Sequence, residues 1–159
     1  VEDIFLERLP YTLRLGLTAL AIAPIPGTGK LRWMGSLDQP HSVAYLPDIA
    51  RAYVTLGTSD AADGAAWVLP HGPAVTGRQF LETVNNQLDT PRGFAVVSRN
   101  MLRIAAPFHR ASRESLGVLY QWTSPWIADD AAFQAKFGPF ATTSLEDAVK
   151  STVEKYKDR

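Results

Sequence analysis

The sequence predicts an α/β fold: a small mixed sheet with flanking helices and a helical C-terminal tail. Three observations carry that reading. Short apolar runs of strand type ("KLRWMG", "HSVAYL", "AAWVLP", "GFAVVS") alternate with stretches of helical spacing. Helix-start signals stand at the joints between them. After the last of these runs, only helical patterns remain. With 159 residues, 46% of them hydrophobic, the chain is long enough for one domain with a real core. We read residues 1–159 as that single domain.

The elements follow in order. Ile4, Leu6, Leu9, Leu13, Leu17 and Leu20 give residues 3–23 helical spacing, with Pro10 as a break or kink. "LRLGLTALAIAPIPG" has the apolar run and Ala-x-Ala end of a secretory signal. Glu2, Asp3 and Glu7 precede it in place of a basic region, and the run is too short to span a bilayer, so a buried helix is the reading. "PIPGTG" (24–29) is a turn-rich loop. "KLRWMG" is a short strand and "HSVAYL" alternates as a second one. Asp48 is placed to cap a helix, with Ile49, Tyr53 and Leu56 as its buried stripe and Gly57 just past its end.

"AAWVLP" reads as a third strand. Thr76 and Gln79 then form a capping box, and Phe80, Val84 and Leu88 the inner face of the helix it opens. "GFAVVS" is the fourth strand. Ser98 caps a helix through Met101 and Leu102 that Pro107 stops, and Ser112 the next, through Leu116, Leu119 and Tyr120. "DDAAFQAKFG" is a short helix ending at Gly138. Thr143 and Glu146 stand in capping-box positions for a last helix, with Leu145, Val149, Val153 and Tyr156 along one face.

Composition removes several function classes. Basic and acidic residues balance at 16 each, which argues against a nucleic-acid binder or a membrane-surface binder working by bulk charge. The absence of cysteine excludes a disulfide scaffold and a thiolate zinc site, and favours a cytoplasmic location. His41, His71 and His109 are too far apart for a His-x-x-x-His zinc pair. There is no Gly-x-Ser-x-Gly elbow. "GTG" at 27–29 lacks the third glycine of a dinucleotide-binding turn and is a plain turn. None of Tyr11, Tyr45, Tyr53, Tyr120 or Tyr156 has Lys four residues later, so a Tyr-x-x-x-Lys proton donor is missing. Asp129-Asp130 reads as a helix cap, not a carboxylate dyad. No catalytic or metal-binding residue is assigned. "LYQWTSPW" gathers Tyr120, Trp122 and Trp126 around Pro125, as an apolar anchor for the tail or as the wall of a substrate cleft.

Three segments, in this order, resemble one family. "HSVAYLPDIARAYVTLG" looks like the strand–helix segment of extended short-chain dehydrogenases/reductases, the NAD-dependent epimerase/dehydratase family, which typically shows Arg-Asp-Phe-x-Tyr/His-Val-x-Asp-Val-Ala-x-Ala there. "AAWVLPHGPAVTGRQFLETVNNQL" is similar to its next unit, a strand, a loop and a helix opened by Thr. "DDAAFQAKFGPFATTSLEDAVKSTVEKY" resembles its C-terminal signature. The resemblance covers about residues 30–157. It implies a substrate-domain-like region at 30–159, behind an N-terminal helix and loop at 1–29. It also implies a substrate-binding C-terminal half, with NAD or NADP held by a half that the chain lacks. Alone, such a chain binds no cofactor and is not catalytic. A first residue of Val in place of Met points to a processed product, a fragment or an incomplete record.

The family's strand arginine, which often grips a nucleotide diphosphate, is His41 here. Histidine has no bidentate fork, so a smaller or less charged substrate than a nucleotide sugar is implied. The implied substrate-facing set is His41, Ser42, Tyr120 and Trp122: two hydrogen-bonding groups and two apolar walls with polar tips. The bland alternative is that His41 caps the strand end and the aromatics only pack. A missing cofactor half implies a homo-oligomer, with residues 1–23 exchanged between chains. The reading from another class is a non-enzymatic binding or interaction domain that reuses this half-fold.

Overall fold

A computed structural model describes residues 29–157, with side chains through Lys155. The expected helix over 3–23, the loop residues before Gly29 and the Tyr156 side chain lie outside them. The described chain is mixed α/β. Its strands are β1 (Leu31–Met34), β2 (Pro40–His41), β3 (Val75–Thr76) and β4 (Phe94–Val97). Its helices are α1 (Leu46–Gly57), α2 (Gly77–Asn85), α3 (Arg99–Ala105), α4 (Arg110–Val118), α5 (Tyr120–Thr123), α6 (Ala131–Phe137) and α7 (Leu145–Lys157), with a short 3₁₀ turn at Asp60–Ala62.

β1 and β4 pair in parallel, Leu31 beside Phe94 through Met34 beside Val97. β2 and β3 pair antiparallel, Pro40 opposite Thr76 and His41 opposite Val75. Side chains alternate across a strand, so Leu31 and Trp33 point together to one side of β1. They meet Phe80, Leu81 and Val84 of α2 and Val149 and Val153 of α7, and these seven residues form the core. Leu145 packs against it, as its helical spacing predicts, and Leu88 does so from the turn after α2 and not from the helix itself. The predicted capping box opens α2: the Gln79 amide donates to the Thr76 hydroxyl, and the Gln79 side chain accepts from the Thr76 amide at 2.8 Å. At Gly77, a Cβ would run into the indole of Trp33, so α2 reaches β1 only through a glycine. The Met101 amide donates to the Ser98 hydroxyl, capping α3 as expected. α6 stops before Gly138 (φ 87°), also as expected.

Other expectations are corrected. "HSVAYL" is strand only at its first residue. Past His41 the antiparallel register runs to Ala74 and Pro73, which has no N–H to lengthen the ladder, and the Ser42 amide turns instead to the Trp126 carbonyl. "AAWVLP" is not a strand. Trp67 turns back, donating to the Ala62 carbonyl at 2.9 Å, and its ring meets Phe137 edge-on at 5.0 Å. A second aromatic cluster, Phe133 with Phe137 and Phe140, claims that segment where a neighbouring strand would have been needed.

Asp48 does not cap α1. Tyr45 is the capping residue, Pro47 lies in the first turn, and the Asp48 carboxylate reaches away to Thr143. The side of α1 turned inward is therefore Asp48 and Ala52, while Tyr53 is exposed. Gly57 is the last helical residue and not a left-handed stop, because the amide and hydroxyl of Thr58 both donate to the Val54 carbonyl. α4 begins before Ser112, whose hydroxyl lies 3.2 Å from His109 Nδ1. α7 is capped by Ser144, which accepts from the Asp147 amide; Thr143, the expected cap, is diverted to Asp48.

Candidate functional site

Two clusters of polar and titratable groups are built into the described chain. The first is a clamp between α1 and the segment before α7. The Asp48 carboxylate accepts from the Thr143 amide (2.7 Å), the Thr143 hydroxyl (2.9 Å) and Arg51 (2.6 Å). Arg51 also donates to the Ala141 carbonyl, and its guanidinium lies over the Phe140 ring at 4.9 Å. Burial alone would push the Asp48 carboxyl up. The Thr143 amide, then Arg51 and the Thr143 hydroxyl, outweigh it and hold the group below its usual 3.8. Every hydrogen bond of the carboxylate is internal, so the clamp joins elements and offers nothing to a ligand.

The second cluster contains the predicted site residues. β2 ends in His41, which is 5% exposed. Its ring packs edge-on to Trp33 at 6.0 Å and nearly parallel to Trp122 of α5, at 5.7 Å and 29°. Nδ1 lies 2.8 Å from the Gln39 carbonyl oxygen and Nε2 2.8 Å from that of Gln121. Next along the chain, the Ser42 amide donates to the Trp126 carbonyl, and the Ser42 hydroxyl accepts from the Ala128 amide at 3.0 Å. His71 closes the cluster. Its Nδ1 is 2.7 Å from the Gly72 carbonyl oxygen, and its Nε2 is 3.1 Å from that of Ala128 and 3.5 Å from Ser42 Oγ.

The structure thus brings His41, Ser42 and Trp122 together, and sets Tyr120 at the rim, 54% exposed. Tyr120 pairs edge-on with Trp126 at 6.1 Å; Trp126 is 49% exposed and Ile127 beside it more so. His41 is enclosed by rings and carbonyls, so its part is to hold the rim in place from behind. Ser42 and His71 look like a nucleophile and base, but the contacts do not fit that chemistry. Nε2 would have to accept the serine proton, yet its shorter contact is to a carbonyl oxygen that needs a proton from it. What the arrangement can do is present Tyr120, Trp126 and Ile127 as an apolar wall on a fixed base.

Asp129 and Asp130 serve the start of α6, where the Ala131 amide donates to Asp129 and the Gln134 side chain to Asp130. Among the described residues, no group of three or more acidic or histidine side chains could hold a metal ion, and no helix is long and apolar enough to cross a membrane. The glycine that follows β1, Gly35 (φ 75°), lies so close to Trp122 that a Cβ would meet its backbone. It serves packing and not the approach of a phosphate.

Two members of the cluster were not assigned from the sequence. His71 sits in "LPHGP", between turn residues that read as a loop, and its partner Ala128 lies 57 positions away. Trp126 was read with Tyr120 and Trp122 as anchor or cleft wall but was not placed in the substrate-facing set. No family model matches the chain, and no curated protein matches it.

Proposed function

We propose that the chain is the substrate-binding portion of an NAD(P)-dependent epimerase/dehydratase-like or reductase-like protein. In this reading, Tyr120 and Trp122, with Trp126, form the apolar side of the substrate cleft, and His41 and Ser42 fix that side to the sheet. The supporting observation is the parallel pair β1–β4. Parallel strands occur almost always in larger sheets covered on both faces, because their connections place helices there. Two parallel four-residue strands, with Val96 partly open to solvent, are the kind of edge that further strands complete. The quoted resemblance names the family in which a cofactor half supplies them.

The cofactor then belongs to that other half, and this chain contributes binding and orientation of a small, weakly charged substrate. Fluorescence titration of the 159-residue chain tests the division of labour. Small neutral carbonyl or hydroxyl compounds should quench the tryptophans at millimolar concentration, whereas NADH and NADPH should not bind at micromolar concentration. Micromolar binding of either nucleotide by this chain contradicts the reading.

A further inference from the structure

His41 and His71 each set both ring nitrogens against backbone carbonyl oxygens. In each, Nδ1 faces a carbonyl close by in sequence, that of Gln39 for His41 and of Gly72 for His71. In each, Nε2 faces a distant carbonyl, Gln121 for His41 and Ala128 for His71. A neutral imidazole has one N–H and one lone pair, so it can donate to only one of its two carbonyls. The other carbonyl then faces the lone pair. Only the doubly protonated ring donates to both. Four acceptors therefore ask for four ring protons, and two neutral rings supply two. The distant carbonyls belong to one stretch, residues 121–128.

We infer that His41 and His71 form a proton-operated latch: with both rings protonated, residues 121–128 are tied down on the β2–β3 side of the molecule, and loss of one proton from each ring gives up one tie apiece. The stacked Trp122 face and the two carbonyl dipoles are the partners a buried cation requires. The charged and titratable groups on neighbouring elements are few. Arg32 of β1 alternates to the side away from Trp33. Asp38, in the loop before β2, is paired with Arg78. Tyr120 of α5 is bonded to Gln121, and Asp129 and Asp130 are engaged at the start of α6. None of these is a hydrogen-bond or ring partner of either histidine in the contacts above.

The latch adds to ties that need no ring proton. The Ser42 amide donates to the Trp126 carbonyl, the Trp126 amide to that of Pro40, and the Ser36 amide to that of Trp122. Acidification therefore tightens the segment without first assembling it. Because the segment carries Trp126 and Ile127, with Tyr120 just before it, the proton count sets how firmly the aromatic wall is held. The proton count stands apart from the functional reading above: it concerns ring protons and amide opening, and no ligand enters its test.

Nitrogen-resolved NMR of the full 159-residue chain, with exposed His109 as the internal reference, reads the rings directly. In acid, both nitrogens of His41 and of His71 should carry protons, as the two carbonyls facing each ring require. Hydrogen exchange gives the consequence. Corrected for intrinsic rates, opening of the Ser42, Trp126 and Ala128 amides should rise about tenfold from pH 5.5 to pH 8, while the α2 amides stay level. The variants H41Q and H71Q should each lose part of that difference. A single neutral tautomer in both rings at pH 5.5 overturns the latch. So do protonated rings with amide opening that ignores pH, and these two measurements need only the unmodified chain.

Discussion

The Asp48 clamp and the histidine junction solve the same problem in opposite ways. Each joins segments far apart in sequence through a buried titratable side chain. At the clamp the charges close on themselves: one carboxylate, one guanidinium and the donors of Thr143. Its protonation state is fixed across neutral pH, because every partner favours the anion. At the junction the partners are carbonyl oxygens, which only accept, so the number of bonds depends on how many protons the rings carry. A fixed joint holds α1 to the segment before α7. A joint with adjustable grip lies under the aromatic wall.

The comparison breaks most readily at the clamp. Asp48→Ala strands the Thr143 amide and the Arg51 guanidinium. It should lower the unfolding free energy by about 3 kcal/mol in urea titrations. Arg51 is half-exposed, so most of that loss comes from the amide and hydroxyl of Thr143 and little from the ion pair. A smaller loss than that of an exposed-surface control would show that the carboxylate is not what joins α1 to the tail.

Gly35→Ala attacks the junction from its backbone. It asks alanine to hold φ 75° and puts a methyl group against the Trp122 carbonyl. About 2 kcal/mol of destabilisation should follow, with the near-ultraviolet tryptophan signal changed. An unchanged spectrum would separate Gly35 from the Trp122 contact. Ser42→Ala removes one acceptor, that of the Ala128 amide, and should cost about 1 kcal/mol. Faster exchange at Ala128, with exchange at Thr143 unaltered, would confirm that the two joints act independently.

Local signals were legible in the sequence wherever a residue's partner is a few positions away. Thr76 with Gln79, and Ser98 with Met101, are caps that need no knowledge of the fold. The apolar faces of α2 and α7 followed from spacing for the same reason. Asp48 was misread because a carboxylate near a helix start has two uses. The distant one, 95 residues on, is invisible to a local pattern. "AAWVLP" is an apolar run of strand type, but such a run does not say whether a partner strand exists. The site was half legible. His41, Ser42 and Trp122 do meet, but their meeting with His71 and Trp126 depends on how residues 121–128 return to β2. No spacing rule encodes that return.

The central claim is that the clamp rests on the ionised Asp48 carboxylate and is independent of the histidine junction, and unfolding free energies of the wild type and Asp48→Asn between pH 3 and pH 8 test it most directly. The folded Asp48 carboxyl is held below 3.8, so its contribution is whole above about pH 5 and is lost as pH falls through the folded value. The difference between the two proteins should therefore be flat from pH 5 to pH 8 and shrink below pH 3.8. A difference that changes between pH 6 and pH 8, or that survives intact at pH 3 and below, would contradict the account.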